Sequence, residues 1–399
     1  MAVDSASVAT DGEAVPTSPT ARTLAYLAVV PGWIAAGVLT IAFSLGVTVP
    51  PRYRWIPLAV SVLVIGFPHG AVDHLLVARV RTGTGRTRAL TRVGIGYAVL
   101  GGGYALAWFL VPRVAVVAFL LLTVVHWGTG DLYPLIGIVG VDHLGSSTAR
   151  IATAAVRGAV PILVPLVAFP DRFLAVVSLL LDPFLETSPA WLDALVGVRA
   201  RAAIAVAVGV VILVTLACGA RSAVAADSAS RSDTVTTDTT TDAAPPNGTT
   251  ATGTDAGSPR PSDAIVRPRT AVGGWLLDAS ETLLLCAFFL AVPPVLAVGT
   301  YFCLWHSLRH VGRLLALDER SSADLAAGRI GRPLWRFARD AAPLTAGGLL
   351  VVVGLFLAVP RRPGTPVESI AVYLVAIAVL TLPHTAIVAW ADRQQGFGW

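Results

Sequence analysis

The sequence predicts an all-α fold: a polytopic transmembrane helical bundle of about ten spans, its two halves joined by a disordered linker. Three observations carry this. First, 55% of the 399 residues are hydrophobic and only 13% are charged, with a mean hydropathy of +0.73; that is roughly half the charge of an ordinary soluble domain. Second, windows of about 18 or more residues hold almost no charge, enough to cross a hydrocarbon core. Lipid satisfies no backbone polar group, so each such run must close its hydrogen bonds within a helix. The runs are too long and too evenly apolar for barrel strands, which alternate. Third, the stretch "DSASRSDTVTTDTTTDAAPPNGTTATGTDAGSPRPSD" is low in complexity and cannot bury a core.

Taken in order, residues 1–22 form a polar, Ala/Ser/Thr-rich tail expected to be disordered, without the basic start or cleavage site of a signal peptide. Residues 23–219 make the first membrane half, with spans near 23–47, 55–78, 93–111, 114–138, 151–169 and 201–219. The apolar stretch 173–185, interrupted by Asp182-Pro183, reads as interfacial or re-entrant. Residues 220–272 are the linker. Residues 273–399 make the second half, with spans near 275–292, 295–316, 343–360 and 368–391; Pro293-Pro294 turns the chain between the first two. The run "GIGYAVLGGGYA" at 94–105 lacks the preceding strand and the spacing of a dinucleotide fingerprint. It reads as small residues that let membrane helices pack closely.

All 29 basic residues are arginine, and the net charge is +5. The arginines gather in the 79–92 and 313–339 loops, the signature of membrane orientation and not of a nucleic-acid surface. The rule predicts a multi-pass cell-membrane protein with both termini and the linker in the cytoplasm. Cys218, Cys286 and Cys303 are odd in number and show no paired spacing, so no disulfide framework is expected.

The chemistry lies in the histidines. Of seven, His143 sits in the loop "GVDHLGSS" and reads as an ordinary loop residue. The other six fall in or near spans: His69 and His74 in "GFPHGAVDHLL", His126 in "VVHWGTGD", His306 and His310 in "WHSLRH", and His384 in "LPHTAIVAW". In the predicted topology His69, His126, His306, His310 and His384 lie roughly 18–24 Å below the outer ends of their helices, at 1.5 Å per residue. Five histidines on four helices therefore share one layer. His306 and His310, spaced i, i+4, leave one helix face. Buried ionisable groups are costly in a membrane and mark function, so a shared metal is expected; imidazole suits Zn, Cu, Fe and Ni alike. Asp73, four residues after His69, and Glu281 are candidates to accept a ligand's outer N–H. Asp131 is expected near a helix end facing water, and Arg309 at the inner interface. Trp127, Trp305, Phe67, Tyr301 and Phe302 neighbour the histidines and are candidate walls of an apolar pocket.

The motifs "GFPHGAVDH", "HWGTGD", "WHSLRH" and the late "LPH", in that order, resemble the Brp/Blh family of membrane β-carotene 15,15'-dioxygenases. The resemblance spans about residues 30–391; the linker has no counterpart in shorter members. It implies Fe(2+) held by four histidines, which by motif are His69, His126, His306 and His310. His384 then belongs to the substrate pocket or second layer, with Asp73, Glu281, Trp127 and Trp305. His74 stands where many members have another residue and is left out. The implied reaction is cleavage of the central double bond of β-carotene by O2 to two all-trans-retinal, with a functional link to a retinal-binding opsin. Three further readings stand beside it. One is a histidine-rich di-iron hydroxylase or desaturase, which generally needs eight or more histidines; another is a haem protein with axial histidines. A non-enzymatic proton-coupled transporter is the third; such proteins often show internal repeats, and none is visible here.

Overall fold

The computed structural model describes residues 19–81, 85–186, 189–237 and 270–396. Most of the expected tail (1–18) and the middle of the expected linker (238–269) lie outside the described residues. Among the described residues the chain is helical and has no strand.

The first span is α1 (Pro19–Ala28) followed by α2 (Val30–Ser44). It starts four residues earlier than expected. Pro19 opens it, since proline at a first helical position gives up only an N–H that no helix bond uses. The second span is broken: a 3-10 turn (Pro51–Trp55), α3 (Ile56–Leu63), α4 (Gly66–Gly70) and α5 (Asp73–Val80). Pro68 cannot continue a helix ladder. A Cβ on Gly66 would lie 2.4 Å from the carbonyl oxygen of Ser61, so only glycine permits this fold-back. Non-helical backbone at membrane depth is tolerated where it is buried in protein or lines a cavity, and this break carries His69.

The next elements are α6 (Arg86–Gly96), a π-helical turn (Tyr97–Gly101) and α7 (Gly102–Leu110). Then come α8 (Pro112–Tyr133), a second π turn (Pro134–Val139), and α9 (Ser147–Ala168). In the 94–105 run Gly101 packs as expected, buried against Val379 and Pro383 of the last helix, at residues 366–394, but the other glycines do not. An added Cβ at Gly94, Gly96, Gly102 or Gly103 would meet nothing within 4 Å. Close approach occurs elsewhere, between α8 and α9. A Cβ on Gly128 would stand 2.0 Å from the Ala154 carbonyl oxygen, and one on Gly158 1.8 Å from that of Val124. The two backbones touch through glycine pairs beside His126, the arrangement membrane helices use in place of a hydrophobic drive.

α10 (Pro170–Leu181) has 12 residues, about 18 Å by its rise. It cannot cross about 30 Å of hydrocarbon, in line with the reading of 173–185 as non-spanning. After α11 (Ala190–Val196), α12 (Val198–Thr237) runs well into the expected linker. α13 (Ala271–Ala291) starts beside it, and Asp227 accepts from the backbone N–H groups of Ala271 (2.7 Å) and Val272 (3.2 Å). A carboxylate at a helix start satisfies orphan donors and opposes the helix dipole. One aspartate of the "linker" is thus a cap, and helix pairing holds the two halves together at this point.

The central helix runs over residues 294–316 as α14 (Pro294–Thr300), a π-helical stretch (Tyr301–Ser307) and α15 (Leu308–Ala316). It is enclosed almost throughout. Nine other helices or helix groups among the described residues are long and apolar enough to cross a membrane. The central helix, expected as a tenth span, is not among them, because two arginines and two histidines dilute its apolar run. Those side chains face the bundle interior, where polar groups find partners. The chain closes with α16 (Glu319–Ala326), α17 (Gly331–Ala358) and α18 (Pro366–Gln394).

Candidate metal centre

Four segments bring five imidazoles together. The α4 break supplies His69, α8 supplies His126, the central helix supplies His306 and His310, and α18 supplies His384. All five are at most 6% exposed. His69 is the hub of one half, its ring centre 5.5 Å from those of His306 and His310 and 5.1 Å from that of His384. His126 lies 4.7 Å from both His306 and His384, and His310 lies 5.1 Å from His384. The shared layer expected from helix rise is therefore present. His306 and His310 both face His69, although His306 sits in the π stretch. π turns insert a residue and re-aim side chains, and they recur at functional sites.

The nitrogens are arranged for a ligand. His126 Nε2 and His306 Nε2 are 3.0 Å apart. That distance suits an N–H···N bond, and equally suits two nitrogens about 2.1 Å from one ion at a right angle. His310 Nε2, His384 Nε2 and His126 Nδ1 are buried without hydrogen-bond partners. Buried polar atoms seldom stay unsatisfied, so His310 Nε2 and His384 Nε2 are candidate attachment points; His126 offers Nε2 beside His306, and its Nδ1 is the outer nitrogen. Two overlapping groups offer one donor atom each within 4.8 Å: His69, His126 and His384; and Asp73, His310 and His384. His384 belongs to both.

Sequence reasoning set His384 aside as a pocket residue; the structure puts it in the middle of the donors. The reason is Asp73. The helix breaks at Ala71-Val72, so Asp73 does not stack under His69 as expected. It faces α18 instead, and His384 Nδ1 lies 2.9 and 2.8 Å from its two carboxylate oxygens. Tyr97 donates to the same carboxylate at 2.7 Å. The carboxylate fixes the His384 tautomer, with Nδ1 protonated and Nε2 left as an acceptor. Metal-binding histidines are commonly oriented in this way. The "DH" and "LPH" pieces carried that signal, but their pairing is separated by 311 residues.

Glu281, Trp305, Asp131, Arg309 and His143 form a different assembly. Asp131 does not face water: it is fully buried and accepts from Arg157 (2.9 Å), Arg309 (3.3 Å) and the Trp305 indole (3.1 Å). Arg309 does not reach an interface. It is 1% exposed, pairs with Glu281, and lies 4.1 Å over the Trp305 ring. Glu281 touches none of the five imidazoles; it also takes Arg157 (2.8 Å) and the Trp33 indole (2.5 Å). Arg157 bonds Asp278 at 2.6 Å, and His143, expected to be an ordinary loop residue, is buried against Asp278 at 3.1 Å. Trp305 therefore belongs to this network and not to a pocket. The sequence hid it because Arg157 sits mid-helix in an apolar run.

Phe67, Trp127 and Phe302 do line a cavity, together with His69, His126 and His384. Its volume is about 540 Å³ and its wall is overwhelmingly apolar, drawn from α3, α4, α6 to α10, α14, α17 and α18. Donors with free nitrogens on the wall of a hydrocarbon-lined space suit chemistry on a lipid-soluble molecule, since the wall offers no hydrogen bonds to a polar one.

The family profile of β-carotene 15,15'-dioxygenase matches residues 60–239 and 262–392. The probable β-carotene 15,15'-dioxygenase Blh of Halobacterium salinarum is 42% identical over 380 residues, covering 95% of this chain and 96% of that protein. The probable β-carotene 15,15'-dioxygenase Brp of the same species is 24% identical over 373 residues, 90% of each chain. A β-carotene 15,15'-dioxygenase of an uncultured marine bacterium is 31% identical over 77 residues, 19% of this chain and 28% of its own. No solved structure matches significantly. With a family profile covering most of its length and a relative this similar end to end, the chain belongs to the Brp/Blh family of β-carotene 15,15'-dioxygenases, a family of enzymes.

Proposed function

We propose that the chain cleaves the central double bond of β-carotene with O2 to give two all-trans-retinal, using Fe(2+) held by the histidine cluster. The observation that supports it most is the convergence of His69, His126, His306, His310 and His384 in one cluster, three of which (His69, His126 and His384) line an apolar cavity, with unpartnered nitrogens among the five. The donor set fits: neutral imidazoles suit Fe(2+), as they suit other late divalent ions. His69, His126, His306 and His310 would hold the ion with His384, whose Nε2 Asp73 and Tyr97 orient. When bound, the iron supplies the activation of O2.

The chain's own residues do the positioning. Phe67, Trp127 and Phe302 border the imidazoles and hold a polyene against them by dispersion and burial. The apolar wall excludes water, which protects a reactive site from side reactions. Asp73 supplies one negative charge beside the donors, and the neighbouring network adds three carboxylates against two guanidiniums. A cation in low dielectric needs such compensation. The arginine-rich ends of the helices set the orientation, with termini and linker in the cytoplasm of a cell-membrane protein. Release of retinal into the bilayer would supply an opsin.

The test is expression in a β-carotene-producing host with no other cleavage enzyme. Loss of orange colour with retinal accumulation is expected; unchanged carotene would contradict the reading. One iron per chain is expected on metal analysis. Two would favour the di-iron hydroxylase, and haem absorption would favour an electron carrier.

A further inference from the structure

The cavity wall has a gap. Gly94, Ala98 and Gly102, spaced i, i+4, i+8 on α6 to α7, all line the cavity and are all exposed, with the exposed Ile95 and Val99 beside them. Exposed lining residues interleaved with exposed apolar side chains on one helix mark a place where the wall is thin. Across the gap stand Gly347 and Gly348 of α17, also lining it. An added Cβ would meet nothing within 4 Å at Gly94, Gly102 or Gly347, so these glycines do not serve helix contact. The two helices are bridged at one end by Arg86 and Asp340, 3.1 Å apart. Gly94 lies eight residues beyond Arg86 and Gly347 seven beyond Asp340, which at 1.5 Å per residue places both about 10–12 Å above the bridge.

Two observations tie the gap to a ligand. His384, 4% exposed, lines the cavity with its Nε2 unpartnered, and His126, 3% exposed, does so with its Nδ1 unpartnered. Outside the gap the flanks are apolar: Ile95 is 59% exposed, Val99 65% and Leu350 71%. Such flanks suit a hydrocarbon environment and not water.

We propose that the gap between α6–α7 and α17 is a lateral window through which a long apolar polyene passes from the bilayer core directly to the imidazole cluster. This rests on the reading of the site as a carotene-cleaving centre. It assigns Gly94, Gly102 and Gly347 as residues that set which substrates enter. The molecule need never cross an aqueous layer, and the absence of side chains at the gap is what keeps the path open.

The test is a size series, Gly94→Ala, Gly94→Val and Gly94→Leu, with Gly102→Leu and Gly347→Leu, in purified full-length protein loaded with iron and reconstituted in lipid. Alanine at Gly94 meets open space and raises helix propensity, so at least that variant keeps the fold. Gly103→Leu is the control; it is exposed, meets nothing within 4 Å and does not line the cavity. Association of β-carotene is read by quenching of tryptophan, since Trp55 and Trp127 line the cavity. Both association rate and kcat/KM should fall with side-chain size, by about tenfold or more for leucine. Iron content should stay unchanged, and Gly103→Leu should match the parent chain. Rates independent of side-chain size at Gly94, Gly102 and Gly347 would overturn the window. A parent chain that binds β-carotene without cleaving it would overturn the oxygenase reading alone, and a graded loss of association would still support the window.

Discussion

The central helix separates two polar assemblies that share a membrane but not a design. On the face bearing His306 and His310, five imidazoles cluster beside a cavity that His69, His126 and His384 line, and several nitrogens lack partners. On the neighbouring face, Trp305 and Arg309 enter a network with Asp131, Arg157, Asp278, Glu281, Trp33 and His143. There every carboxylate meets a guanidinium, an indole or an imidazole. Both assemblies are buried and both are costly in hydrocarbon. The difference is charge pairing and access. In the network Arg157 and Arg309 meet Asp131, Asp278 and Glu281 directly, although Arg309 Nε and His143 Nδ1 stay unpartnered; the imidazole cluster has only Asp73 as its carboxylate and borders a cavity that a ligand can enter.

Substitutions can break that contrast. The largest effect on function is expected from His306→Ala, which should abolish iron retention and cleavage and leave the helical content and detergent-solubilised Tm close to those of the parent. Loss of fold instead would make the imidazoles structural. Arg157→Ala should do the reverse. It leaves Asp278 and Glu281 short of their partner in a dry interior, and removal of one member of a buried pair costs about 3–5 kcal/mol; chemical denaturation in detergent would read it. Asp73→Asn is intermediate. It removes the charge that orients His384, and loss of such a partner costs about 10–100-fold in metal affinity, which competition with a chelator measures. Trp33→Phe is the smallest. It removes one hydrogen bond to Glu281, which keeps both arginines, so roughly 1–2 kcal/mol of stability is expected, with iron content unchanged.

Much of this was legible in the sequence. Hydropathy located the helices, because lipid leaves the backbone no alternative to internal bonding. The histidine layer followed from helix rise alone. What escaped depended on backbone irregularity and long-range pairing. A continuous helix would stack Asp73 under His69; the break at Ala71-Val72 turns it to His384 instead. Glycines at 94–105 and at 128 and 158 look alike in one dimension, yet Gly94, Gly96, Gly102 and Gly103 border open space whereas Gly128 and Gly158 let two backbones touch. Arg157 and Asp131 stand alone in apolar runs, and nothing local says that they meet. The central helix looks like a weak span because its arginines and histidines dilute the apolar run, yet those side chains are buried among the other helices of the bundle.

Iron-edge X-ray absorption on the purified protein tests the central claim most directly. One iron per chain surrounded by imidazole nitrogens at about 2.1 Å is expected, with that shell lost in His306→Ala. A protein that carries no transition metal, or whose metal keeps its full nitrogen shell in His306→Ala, would contradict the account.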